Sequence, residues 1–210
     1  MPTRAERRLK ALALARDCAA LGARTRTIHH MTGLSVRETQ RLFFPDPAST
    51  PRGRAPDSPE WYHKSNLLHQ IEASLFVATY RRLRSTGFGA GEALVGAYKH
   101  YQSFCHHPCR VSFDRAFDLA AHADGIWIAR EPSFAIVTCL LCGCDHIAPI
   151  GAIAQQTGEC PFCRLIQRHD IDPRLKDCFP TPILDDSDAL RKHLQAVGCP
   201  TTWASVKTGS

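Results

Sequence analysis

Apolar positions recur at helical spacing through most of this chain, and the places where they stop divide it. Residues 5–21 (AERRLKALALARDCAAL) carry Leu9, Leu12, Leu14 and an apolar close at 19–21 over an alanine-rich background. That pattern predicts a helix with a basic leading turn, stopped by Gly22. A second helical stretch runs from about residue 24 to residue 31 and breaks at Thr32-Gly33. Ser35 opens a third, with Glu38 three residues on. This Ser-x-x-Glu spacing is a capping box, in which hydroxyl and carboxylate each satisfy an amide of the first turn.

Five prolines (45, 47, 51, 56 and 59) and Gly53 crowd residues 44–59, which read as a linker. Asp57 or Ser58 then caps a long helix to about residue 85, with Trp61, Leu67, Leu68, Ile71, Leu75 and Ala78 in phase. Residues 90–106 repeat the pattern through Leu94, Ala97, Tyr98, Tyr101 and Cys105, and 112–123 form a shorter helix ended by Asp124-Gly125. Residues 126–128 and 134–137 are short and β-rich, which predicts strands leading into a cysteine cluster. Beyond Arg168 the pattern weakens.

Composition places the chain among folded globular proteins, at 44% hydrophobic and 22% charged. No stretch approaches the roughly 20 apolar residues that span a bilayer. The N-terminal charges are not followed by the apolar core of a signal peptide, so a cytoplasmic protein is expected. The net charge of +6 is uneven: residues 1–54 hold 11 Arg or Lys against 4 Asp or Glu. The rest of the chain is nearly neutral. One basic end is what a surface that meets phosphate requires, although a solvated basic tail has the same composition.

Ten cysteines gain weight in a reducing compartment, where paired Cys-x-x-Cys spacings read first as metal sites. Cys139 and Cys142 form one pair, Cys160 and Cys163 the other, with 17 residues between. Two residues between ligands let a tight turn aim both thiolates at one point, and two such turns complete a tetrahedron. The insert matches zinc-ribbon or treble-clef spacing. Four thiolates leave no open coordination position, so one structural zinc ion is expected, not metalloenzyme chemistry. Cys144 and His146 crowd the first turn as competing ligands. Cys18 and Cys105 fall on apolar helix faces. The run from Cys105 to Cys109 is either a helix end with its turn or a second metal site.

Helix, Thr-Gly-Leu-Ser turn and capped helix is the layout of a helix-turn-helix, with Ile28, Leu34 and Leu42 as core positions. In the third helix Val36, Thr39 and Phe43 share one face, and Arg37, Glu38, Gln40 and Arg41 project from the other. Arg pairs with guanine and Gln with adenine in the major groove, while Arg24 and Arg26 are placed for phosphate. Gly87-Phe-Gly89-Ala-Gly91 follows a helix where a nucleotide loop would need a strand. No nucleophile triad, paired carboxylate motif or P-loop is visible, and nothing demands an enzyme.

The run from Leu21 to Ser35 (LGARTRTIHHMTGLS), the helical run from Trp61 to Leu83, and the two cysteine pairs together resemble the C subunit of the bacterial flagellar master transcriptional regulator, the FlhC family. The likeness covers about residues 10–165. It implies a mainly helical protein that works with a small helical D subunit, binds DNA upstream of flagellar promoters and recruits RNA polymerase. It also implies that Cys139, Cys142, Cys160 and Cys163 are the zinc ligands. Residues 164–210 hold seven Arg or Lys against six Asp, so no tail residue is assigned to DNA.

The expected architecture is mainly α. A helical domain at 1–125 contains the helix-turn-helix (about 24–44), the linker (44–59) and helices within 58–123. A zinc-ribbon-like module (126–168) and a weakly ordered tail (169–210) follow. The expected function is a DNA-binding transcriptional activator subunit, with Ser35, Arg37, Gln40 and Arg41 at the duplex and double-stranded promoter DNA, the D-type subunit and RNA polymerase as partners. The alternative is a zinc-stabilised protein–protein interaction module without DNA contact.

Overall fold

A computed structural model of the chain describes residues 3–46, 51, 60–63, 66–105, 109–129, 131–150 and 160–178, all within one compact unit. Most of the expected linker and residues 179–210 lie outside the described residues. The order is α1 (Arg4–Ala20), α2 (Thr25–Thr32), α3 (Val36–Phe43), α4 (Glu60–His63), α5 (Leu67–Ser85), α6 (Ala90–Phe104), α7 (Phe113–Asp124), β1 (Ala135–Thr138), β2 (Asp145–Ala148), α8 (Pro161–His169) and α9 (Pro173–Cys178). The protein is mainly helical, as the periodicity predicts.

Helix α5 is the axis of the core. It packs against α6, α7, α8 and β2, and Leu67, Leu68, Ile71, Phe76, Val77 and Tyr80 bury more than one of its faces. A helix apolar on several sides is one surrounded by others. Its start differs from expectation. Instead of one helix over 58–85, Asn66 adopts an extended backbone and caps α5, its Oδ1 accepting from the His69 amide at 3.1 Å. The shorter α4 (Glu60–His63) precedes α5 as a separate element.

A buried carboxylate ties α5 to α6. Glu72, 2% exposed, accepts from Tyr101 Oη at 2.5 Å and from Arg110 Nη1 at 2.7 Å. The Arg110 amide adds a bond to it at 3.1 Å, and Tyr101 Oη in turn accepts from the Val111 amide. Burial, then the bond to Glu72, pushes the Tyr101 phenol far above its ordinary range.

Helix α1 lies on the other side, against α2, α3 and α6, with Ala15 and Cys18 buried. Its approach to α6 is close enough that a Cβ on Gly91 would meet Leu14 Cδ2 at 2.6 Å. Cys18 is core, as its face predicts, and burial pushes its thiol up to about 12. Cys105 is buried likewise; residues 106–108 of its motif lie outside the described residues.

Residues 126–128 are not a strand. Gly125 closes α7 in the left-handed region, the Ile126 amide donates back to Ala121 O, and Trp127 itself sits at φ 57°. The chain doubles back so that the Trp127 ring reaches Phe117 on α7, at 5.1 Å between centroids. Burying an indole on the core outweighs the strain of its backbone. The strand expected at 134–137 does form, one residue later, as β1, and pairs antiparallel with β2 from Ala135↔Ala148 to Thr138↔Asp145.

Candidate metal centre and nucleic-acid interface

The β1–β2 hairpin exists to present two sulfurs. Its turn carries Cys139 and Cys142 and is closed by bonds from the Cys139 amide to Cys144 O and from the Gly143 amide to Cys139 O. Gly143 takes φ 72°, which an L side chain adopts only under strain, so the knuckle needs glycine there. The second pair is carried differently. Cys160 is the N-cap of α8, its Sγ accepting from the Cys163 amide at 3.2 Å, and Pro161 fills the first helical position. A ribbon with two hairpin knuckles is therefore replaced by one hairpin and one helix start.

The four Sγ atoms lie within 4.8 Å of one another. Cys139 and Cys163 are 3.8 Å apart, and Cys142 and Cys160 are 3.5 Å apart. A tetrahedral tetrathiolate centre with metal–sulfur bonds of about 2.3 Å needs sulfurs about 3.8 Å from each other. All four thiols are free, and the distances far exceed a disulfide bond. The cluster could therefore hold a metal ion.

The electrostatics suit a cation. Backbone amide bonds, from Cys142 first, hold the Cys139 thiol down to about 7. Burial first, then the neighbouring sulfurs, push Cys163 far up. Four thiolates repel in this space, and a divalent ion at their centre offsets that repulsion. Cys144 is exposed and His146 is buried, and neither is among the four grouped ligands. The Cys160-Pro161 dipeptide, an N-cap followed by proline, is the sequence signal that would have found α8.

The residues expected at DNA divide into two sets. Ser35 caps α3, its Oγ accepting from the Glu38 amide at 3.2 Å. The reciprocal half of the box is not made, because the Glu38 carboxylate takes Arg8 of α1 instead. Thr39 is fully buried, whereas Arg37, Gln40 and Arg41 are exposed, and Arg37 and Arg41, four apart, share a face. Ile28 and Leu34 are core as expected, but Val36 and Leu42 are exposed; α3 is short and rests on its Thr39 side alone.

Arg26 is exposed, but Arg24 turns inward. Its Nη1 lies 3.3 Å from Oδ2 of buried Asp114 on α7. Asp114 Oδ1 also accepts from the Arg24 amide at 3.2 Å and from Thr27 Oγ1 at 2.5 Å. A carboxylate at the start of α2 satisfies a backbone amide that the helix cannot, and favours the positive end of its dipole. Sequence inspection missed Asp114 because its partners are some 90 residues away. Replacing Asp114 with Ala is expected to lower unfolding free energy by about 2 kcal/mol. Amide exchange should quicken over 25–43 while α5 and α6 stay protected. Uniform exchange across the chain would contradict this local anchoring.

A family model described as flagellar transcriptional activator (FlhC) matches residues 6–173, from the basic start of α1 past the second cysteine pair. The flagellar transcriptional regulator FlhC of Cupriavidus metallidurans is 28% identical over 142 residues, 65% of this chain. The matched stretch spans 63% of that relative's length. No helix among the described residues is long and apolar enough to cross a membrane. With the family match running through both the α1–α3 cluster and the four-cysteine centre, the chain belongs to the FlhC family of flagellar transcriptional activators.

Proposed function

We propose that this chain is the DNA-binding subunit of a cytoplasmic transcriptional activator that acts at flagellar promoters with a D-type partner subunit and recruits RNA polymerase. The carrying observation is α3, a capped helix held by buried Thr39 that turns Arg37, Gln40 and Arg41 to solvent. In this proposal α2, the turn at Gly33 and α3 are a helix-turn-helix whose second helix enters the major groove. Gly33 supports it by taking φ 74° at the end of α2, a left-handed cap that lets the chain reverse tightly. Arg26 meets phosphate. Arg24, engaged by Asp114, positions α2 beside it.

Cys139, Cys142, Cys160 and Cys163 would hold one structural zinc ion. The ion would supply the folding free energy of a module (about 126–168) too small to fold alone, and no chemistry. The helical domain over 1–125 completes the proposed organisation, and α9, expected within a tail over 169–210, packs on α8 in the same compact unit.

Replacing Arg41 or Gln40 with Ala should weaken promoter binding by about 1–3 kcal/mol and relax the preference at one base pair. Replacing Arg26 should weaken all duplexes alike and flatten the dependence on salt by about one unit. A salt series of gel shifts with promoter and unrelated duplex separates the two behaviours. Folded variants that all bind as the parent does would refute the role of α3.

One observation favours a second reading. Leu140 and Leu141, in the cysteine knuckle, are 78% and 59% exposed. A metal-stabilised module with such an apolar tip suits protein partners, and an absence of any salt-sensitive gel shift would select it.

A further inference from the structure

The first two turns of α1 hold three arginines that the function proposed above does not use. Arg4, Arg7 and Arg8 line a cleft of about 480 Å³ whose far wall is Thr32, Gly33 and Leu34, the turn between α2 and α3. By spacing they share one helix face, where like charges repel by a few tenths of a kcal/mol. They also sit at the positive end of the helix dipole, where cations are disfavoured. Local stability does not explain their presence.

Internal partners explain only Arg8. The Glu6 carboxylate is engaged by the Thr3 amide at 2.6 Å, within a complete capping box. Arg8 pairs with Glu38. Among the described residues Arg4 and Arg7 have no carboxylate within ion-pair distance, and both are exposed. The amides of the opposite wall are already used, Gly33 by His29 O at 2.8 Å and Leu34 by Thr32 Oγ1 at 3.3 Å. The cleft thus offers guanidinium donors and positive charge. Its complement is an anion with several oxygen acceptors, which arginine meets bidentately.

The cleft borders α3. The Arg8–Glu38 pair joins α1 to the first turn of α3, next in sequence to Arg37 and one turn before Arg41. We propose that Arg4 and Arg7 grip backbone phosphates of the duplex that α3 enters, making α1 a second, sequence-independent DNA contact. This rests on the DNA-binding function proposed above and adds a surface to it. Glu38 neutralises the third arginine and sets the distance between the phosphate grip and the reading helix.

The test uses the full chain co-expressed with its proposed partner subunit, titrated with promoter duplex and an unrelated duplex of equal length over a salt series. The double variant Arg4→Gln, Arg7→Gln should weaken both duplexes by the same factor, roughly tenfold, and flatten the log K against log salt slope by about 1 to 2 units. Arg4→Lys with Arg7→Lys should keep the slope. The Gln pair should melt no lower than the parent, since it relieves repulsion within α1. Parent-like affinity and slope in the Gln pair, or a Lys pair that behaves like the Gln pair, would overturn the proposal. If Arg41→Ala loses promoter preference while the Gln pair is silent, only this α1 contact fails. If the Gln pair flattens the slope while Arg41→Ala keeps full preference, the grip stands and the reading helix fails.

Discussion

Serine in place of Cys142 or Cys160 is expected to abolish metal binding and unfold the hairpin and α8. A two-stranded hairpin of four-residue strands is not stable in water by itself. Beside the packing of Ile136 and Ile147 on the core, its polar ties among the described residues are the Ile147 amide to Ser74 Oγ at 3.2 Å, Arg81 to Asp145 at 3.6 Å, and Arg164 to Gln70. Exposed ion pairs of this kind contribute about 0–1 kcal/mol each. The apparent binding free energy of a structural zinc ion, about 10–16 kcal/mol in small peptides, is far larger and sets the ceiling of the loss. Metal analysis should fall from one ion per chain to none. Amide protection should vanish over 135–148 and 161–169 and persist in α6 and α7. Cys144→Ser is the control and should keep the metal, because its thiol stands outside the group. A parent protein without metal, melting identically in a strong chelator, would sink the idea.

Glu72→Ala should be the most damaging change in the helical core, at about 3–5 kcal/mol by urea unfolding with an unchanged denaturant slope. The carboxylate is 2% exposed and satisfies Tyr101 and two donors of Arg110. Alanine leaves the Arg110 guanidinium, about a quarter exposed, without its counter-charge. The pair itself adds little beyond what an apolar pair would, since taking both charges from water offsets their attraction. The double variant Glu72→Met, Arg110→Met should therefore lose less than Glu72→Ala alone. If the double variant loses as much as the two single ones added together, the residues do not act as a unit. Arg110 Nη2 also donates to Cys178 Sγ at 3.3 Å, so α9 should loosen with the single change.

Residue spacing alone determined helices α1, α2, α3, α6 and α7, the cap at Ser35, and the cysteine set, but not the break between α4 and α5 or the helices α8 and α9. Each of the former depends on neighbours within a few positions: 3.6-residue periodicity, a hydroxyl reaching an amide three residues on, two thiolates across one turn. Family resemblance was legible for the same reason, because it rests on contiguous runs. Tertiary structure decided everything that depends on what lies opposite. The Trp127 segment reads as strand by propensity but turns back to bury its ring on Phe117. Val36 and Leu42 read as apolar anchors, yet α1 and α2 meet so short a helix around Thr39 and leave both exposed. Glu38 completes a capping box by spacing, and an arginine 30 residues away claims its carboxylate. Arg24 and Arg26 are equivalent as letters two apart. Only the approach of Asp114 draws Arg24 inward and leaves Arg26 in solvent, because a buried carboxylate requires a counter-charge and takes the one nearest in space.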